Sequence, residues 1–233
     1  MSIAENISQT DVVIDGIKRM IVQGEIRPYA RLPIEKDLAQ ALGVSRSSLR
    51  EGVRALSLLG VVESRQGAGT FVTGLDPSLL LGQLGFVVDL QHTCSAVHLH
   101  LVRRVLETEA AGQAALRITG AQLDELGEIL DRYQAAIEAS ESDHRELLDL
   151  DIRFHRVIAE ATGNPVLSAM IEGFSGRTAA IRYLRAVSDD RAESRTLAEH
   201  RAIERALSAR TPDKASVRMA DHLLAVEDFL REA

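Results

Sequence analysis

Residues 31 to 56, RLPIEKDLAQALGVSRSSLREGVRAL, constrain this chain more than any other stretch. They read as two short helices joined by a tight turn. Glu35 to Leu42 makes the first, with Leu38, Ala39 and Leu42 on its apolar face. Gly43 and Val44 form the turn, where a positive φ suits a residue without a Cβ. Ser45 is placed to cap the second helix, its side-chain oxygen accepting a backbone N–H that has no partner inside the helix. Leu49, Val53 and Leu56 then recur at spacings of four and three, a core-facing stripe.

The other face of the second helix carries Ser45, Arg46, Ser47, Ser48 and Arg50, small hydroxyls and guanidiniums crowded at a helix N-terminus. Free N–H groups and the helix dipole favour phosphate there. Arginine can bond a guanine edge through two parallel hydrogen bonds, and serine can reach phosphate or base. A solvated helix start would look the same, so this face alone leaves DNA binding open.

Downstream, GVVESRQGAGTFV spans residues 60 to 72. Val61 and Val62, then Thr70, Phe71 and Val72, are short β-prone runs flanking the glycine-rich tip Gln66-Gly67-Ala68-Gly69. A helix-turn-helix followed by a hairpin is a winged helix, whose tip, with Arg65, Gln66 and Gly67, can lie against the backbone or in the minor groove.

From LPIEKDLAQALGVSRSSLREGVRALSLLGVVESRQGAGTFV, some forty residues in order and spacing, the chain resembles the GntR superfamily of bacterial transcription regulators. The resemblance implies DNA contacts by Lys36, Ser45, Arg46, Ser47, Ser48 and Arg50, with Gln66 and Gly67 in the wing. Three positions depart from the family pattern: Ala30 where a turn glycine is usual, Ile34 where a small polar residue is usual, and Gly52 where alanine is usual. Glycine inside a helix is expected to cost on the order of 1 kcal/mol relative to alanine.

The 233 residues suggest one large or two ordinary domains, and 45% hydrophobic content is enough for real cores. No run of eighteen apolar residues argues for a membrane span. The opening MSIAENISQTDVV does not read as a secretory signal. The single Cys94 cannot form an internal disulfide, which fits a cytoplasmic setting. The net charge of −7 is unusual for a DNA-binding protein, but it is unevenly spread. Residues 1–74 carry nine Lys/Arg and eight Asp/Glu, whereas residues 75–233 carry eighteen and twenty-six. The N-terminal part must therefore make the DNA contact. A domain so weakly basic is expected to act with a second copy, as a homodimer on a two-fold symmetric, palindromic operator.

The expected order is a winged helix-turn-helix domain over 1–74, a linker over 75–78 at Gly74-Leu75-Asp76-Pro77, and an all-α antiparallel bundle over 79–233. The first helix is expected from residue 7 to about 24, with Val12, Val13, Ile14, Ile17, Ile21 and Val22 as its apolar face and Gly24 at its end. After Pro77 the pattern predicts helices over 79–90, 95–117, 120–139, 143–162, 165–186, 189–209 and 212–231. Thr119 with Gln122 reads as a capping box, Gly163-Asn164-Pro165 as a stop and restart, and Thr211-Pro212 as an N-cap with proline in the first turn.

Asp151 and His155 stand at i and i+4 in LLDLDIRFHRVIAEATGNP, on one helix face. His200 and His222 lie among apolar positions of two later helices. One Asp and three His suit a divalent metal, zinc first and nickel, manganese or iron as alternatives. A lone His on an apolar face is more often a hydrogen-bonded core residue, so spacing leaves both readings open. Residues 79–233 are similar to the FCD-type ligand-binding domain of the FadR-like branch. The landmarks are Arg103-Arg104-Val105-Leu106-Glu107, Asp151 and His155 before Gly163-Asn164-Pro165, and the two later histidines. That resemblance implies Asp151, His155, His200 and His222 as metal ligands, and Arg103 as a bidentate partner for an effector carboxylate. A surface pair between Arg103 and Glu107 at i, i+4 is the competing reading. His144 is a rival ligand, Arg177 and Arg182 are lesser effector candidates, and His92, His98 and His100 read as surface or packing residues.

The expectation is a transcription regulator, most often a repressor in this family and not an enzyme. A small organic acid at the metal would set its operator affinity. A metal-dependent enzyme built on the same Asp/His set, a sensor of the metal itself, and a metal-free pocket for an acyl-CoA-like ligand are the alternatives.

Overall fold

The computed structural model describes residues 8–77, 96–139, 143–189 and 191–232. The fold is mainly α, with ten helices and one two-stranded sheet among the described residues. The chain divides into two compact units, Met1–Gln83 and Leu84–Ala233. The helix expected over 79–90, with His92 and Cys94, lies outside the described residues.

In the first unit, α1 (Gln9–Val22) starts on a capping box formed by Ser8 and Asp11. Val13 and Ile17 are its buried anchors. Val22, expected on the apolar face, is 78% exposed, because it falls in the last turn beyond the reach of the core. Helices α2 (Glu35–Leu42) and α3 (Arg46–Leu58) form the helix-turn-helix. Gly43 takes φ 66° at the turn, and Ser45 Oγ accepts from the Ser48 amide at 3.0 Å. Strands β1 (Val62–Arg65) and β2 (Gly69–Val72) pair antiparallel, Val62 opposite Val72 and Arg65 opposite Gly69. Arg31 adds a bridge to Phe71, and Leu32 N–H donates to the Thr70 carbonyl at 2.8 Å, so the chain entering α2 is stitched to the wing. Ile17, Leu38, Leu49, Leu56, Val62 and Val72 are buried together beneath these elements.

Two of the departures from the family pattern have structural answers. Next to Ala30, Tyr29 supplies the positive φ of the turn, at 67°. Gly52 is not a defect of α3. A Cβ there would sit 2.4 Å from Val13 Cγ1, so glycine is what allows α1 and α3 to approach. The helix-propensity cost expected for Gly52 is outweighed by that contact.

The second unit is entirely helical among the described residues: α4 (Ala96–Arg117), α5 (Gly120–Glu138), α6 (His144–Ala161), α7 (Pro165–Arg177), α8 (Ala179–Ser188), α9 (Ala192–Ser208) and α10 (Pro212–Glu232). Thr119 and Gln122 form the expected capping box of α5, and Asn164 Oδ1 accepts from the Val166 and Leu167 amides to start α7. The Thr211 hydroxyl, expected to cap α10, turns back and donates to the Ala206 carbonyl at 3.1 Å. The long helix expected over 165–186 is two. Thr178 takes ψ 0° and its hydroxyl bonds the Phe174 carbonyl at 3.1 Å, a local bond that competes with the helical ladder. α4 lies along α10, α5 packs on α6 and α9, and α8 rests on α6. Leu126, Ile129, Leu130, Phe154, Ile158, Ile203, Leu207 and Met219 fill the interior.

Candidate functional site

The first unit presents its polar side chains at one edge. Arg46, Ser47 and Arg50 on α3 are exposed, as is Lys36 on α2. The Ser45 and Ser48 hydroxyls are 2.9 Å apart, tying both into the cap of α3. Arg50 is 69% exposed, and its Nη2 lies 2.9 Å from Oε2 of Glu35, which orients the guanidinium without burying it. That hydrogen bond holds the Glu35 carboxyl below its usual pKa against a small opposing effect of burial. Gln66 and Gly67 are exposed at the wing tip, where Gly67 takes φ 73°. Arg65 stacks over Phe71 at 4.5 Å and donates to Glu63 at 2.9 Å. Arg31 and Arg54, not singled out in the sequence, line the groove between α3 and the wing. Arg54 follows Arg46 and Arg50 at successive spacings of four, a regularity present in the sequence itself.

In the second unit, Asp151, His155, His200 and His222 converge from α6, α9 and α10, with ligand atoms all within 4.8 Å of one another. All four are buried, and His200 is 0% exposed. Asp151 Oδ1 lies 3.7 Å from His155 Nε2 and 3.5 Å from His200 Nε2, and the Nε2 atoms of His200 and His222 are 3.3 Å apart. Phe154 stacks on the His200 ring at 4.1 Å between centroids, fixing its plane.

The outer nitrogens of two rings face carboxylates. His222 Nδ1 is 2.7 Å from Glu199 Oε2, and His155 Nδ1 contacts Glu107. Carboxylates behind imidazoles are what a metal site uses to orient its ligands. Burial pushes Asp151 up, but Arg182 and the neighbouring histidines outweigh it and hold the carboxyl well below its ordinary value. Burial lowers His200 far below the usual imidazole range, with His222 adding to it. Burial also lowers His222, although Glu199 opposes. His155 goes the other way: burial works against its charge, yet Glu107 and Asp151 outweigh burial and raise it. The donor set fits a cation: three buried imidazole nitrogens and a carboxylate point at one another, and His155 Nε2 has no hydrogen-bond partner. Such a buried Asp/His cluster could hold a divalent metal ion.

Arg103 lines a small cavity of about 40 Å³ beside the cluster. It is 0% exposed, so its pairing with Glu107 is a buried one and not the surface pair of the competing reading. Arg103 Nη1 also donates to Thr178 Oγ1 at 3.3 Å, where the α7–α8 break occurs. Glu107 thus bridges Arg103 and His155, and despite burial these partners lower its pKa to about 2. Arg182, a lesser candidate, contacts Asp151 directly and donates to the Ser175 carbonyl at 2.6 Å. Burial and the charge of Arg103 lower its pKa to about 10. His144 is outside the cluster, its Nδ1 2.7 Å from Glu193. His98 is exposed. His100 is a packing residue, buried with Nε2 2.9 Å from the Leu223 carbonyl. Glu107 and Glu199 were missed as partners of the histidines; Glu199 directly precedes His200 in sequence, but its contact is with His222.

A family model described as "Bacterial regulatory proteins, gntR family" matches residues 9–72, and one described as "FCD domain" matches residues 98–225. The chain belongs to the GntR family and carries an FCD domain. Among relatives, the HTH-type transcriptional regulator LutR of Bacillus subtilis is 31% identical over 215 residues, covering 91% of this chain and 96% of the relative. The HTH-type transcriptional repressor NanR of Cronobacter sakazakii is 29% identical over 222 residues, 93% of this chain and 83% of the relative. The solved structure of Streptococcus agalactiae GntR matches with a TM-score of 0.73 at 28% identity, covering 96% of this chain and all of that one. This GntR-family chain is a transcription regulator, not an enzyme. No described helix is long and apolar enough to cross a membrane.

Proposed function

We propose that this GntR-family regulator is a homodimeric, cytoplasmic repressor of a palindromic operator, controlled by a small organic acid bound at a metal. Residues 1–74 would read DNA through Lys36, Ser45, Arg46, Ser47, Ser48 and Arg50, with Gln66 and Gly67 of the wing on the backbone or minor groove. Residues 79–233, after a linker at 75–78, would hold the metal through Asp151, His155, His200 and His222. Bound there, the metal would supply a Lewis acid for a carboxylate of the effector, and Arg103 stands in the same cavity to neutralise that carboxylate.

The observation that carries this reading is the convergence of the four buried ligand atoms beside an arginine-lined cavity. Zinc fits the nitrogen-rich donor set best. Effector binding works by favouring one spacing of the two recognition helices over another, with a coupling of about 1–3 kcal/mol.

The test is operator affinity by gel shift with metal-stripped, zinc-loaded and zinc-plus-acid protein. A change that needs both zinc and acid supports the reading. A change with zinc alone would make the chain a metal sensor, and no zinc uptake at all would refute the site.

A further inference from the structure

The cavity beside the Asp/His cluster holds more positive charge than one acidic group needs. Arg103, Arg182 and Arg185 all line it, among Tyr133, Leu147 and Val226. Two of these cations already face carboxylates, Arg103 on Glu107 and Arg182 on Asp151. Arg185 does not. It is only 5% exposed, yet it makes no hydrogen bond or ion pair among the described residues. Burial lowers its pKa from the ordinary value, and the field of Glu199 only partly opposes that.

A largely buried guanidinium that faces no carboxylate is costly, because the hydration it loses is not replaced by a counter-charge. One that lines a cavity is most simply explained by an anion that enters there. Arg182 and Arg185 sit three residues apart on α8, so their side chains leave the same helix face with Cβ atoms about 5–6 Å apart. Arg182 reaches the Asp/His cluster through Asp151, and Arg185 stands one step further along the helix. Two acidic groups on a short chain would satisfy both positions.

We propose that the effector is a dicarboxylate: one carboxylate engages the Asp/His centre beside Arg103 and Arg182, and the second pairs with Arg185. This rests on the organic-acid reading above and makes it narrower. The second pairing is charge-assisted and desolvated, so removing either half should weaken binding about 10- to 100-fold.

Calorimetry on the full zinc-loaded chain tests it, with succinate against butyrate and glutarate against valerate. The expected result is a diacid bound about 10- to 100-fold more tightly than its matched monoacid. Arg185→Gln should reduce the diacid to monoacid level and leave the monoacid unchanged, while Arg185→Lys keeps part of the preference. Equal affinity for diacid and monoacid in the wild type overturns the dicarboxylate while the acid reading stands. Equal weakening of both acids by Arg185→Gln, or no weakening of the diacid, overturns the role of Arg185. If neither acid binds the zinc-loaded chain, the organic-acid reading fails and this proposal with it. Should Arg185→Gln not fold, the wild-type comparison alone decides for or against the second acidic site.

Discussion

Glu199 touches no metal-facing atom, yet it should govern how tightly the Asp/His centre holds zinc. Its Oε2 lies 2.7 Å from Nδ1 of His222, the nitrogen turned away from the cluster. A hydrogen bond there selects the tautomer whose Nε2 lone pair faces the ion, and the negative charge makes that lone pair a better donor. Glu199→Gln keeps an acceptor at this position but removes the charge. Glu199→Ala removes both. Loss of such an outer partner costs about 10- to 100-fold in metal affinity, or roughly 1.4–2.7 kcal/mol. Glutamine should fall near the low end of that range and alanine near the high end. Zinc competition against a chromophoric chelator gives the constants. Glu193→Gln is the control, because Glu193 pairs with His144 at the same 2.7 Å but outside the cluster. The reasoning is refuted if both Glu199 variants hold zinc within about two-fold of the wild type, or if Glu193→Gln weakens zinc equally.

Arg46→Ala combined with Arg50→Ala should abolish specific operator binding in a gel shift while leaving the helical content unchanged by circular dichroism; retained specific binding would discard these contacts. Zinc affinity should fall as the pH is lowered, with protons released on binding. Glu107 and Asp151 raise His155 against the effect of burial, whereas burial lowers His200 and His222, so His155 is the ligand that holds a proton to the highest pH. Calorimetry in buffers of different ionisation enthalpy counts the protons released, and a release that does not grow as the pH is lowered sinks the assignment. Gly52→Ala should destabilise the first unit by about 1–3 kcal/mol through overpacking against Val13, despite a propensity gain of about 1 kcal/mol. Val13→Ala should relieve only part of that effect in a double-mutant cycle followed by urea unfolding, because the Cβ of residue 13 also stands 2.6 Å from the added one, and a stabilised Gly52→Ala single variant would contradict the packing.

What the sequence determined by itself is local. Gly43 at φ 66° and the caps at Ser45, Thr119 and Asn164 were legible because each depends on a side chain and backbone groups within three residues of it. The pairing of Asp151 with His155 on one helix face follows from the helical repeat alone. His200 and His222 joined them only through the family resemblance, since nothing in their spacing brings α9 and α10 to α6. Tertiary structure alone decided the rest. Glu107 against His155, Glu199 against His222, Arg182 against Asp151 and Val13 against Gly52 join residues from different helices. The break at Thr178 became visible only with the backbone in place, where its hydroxyl bonds Phe174 and receives Arg103. Such contacts depend on how helices pack in space, and amphipathic periodicity specifies which face of a helix is buried but not what it meets there.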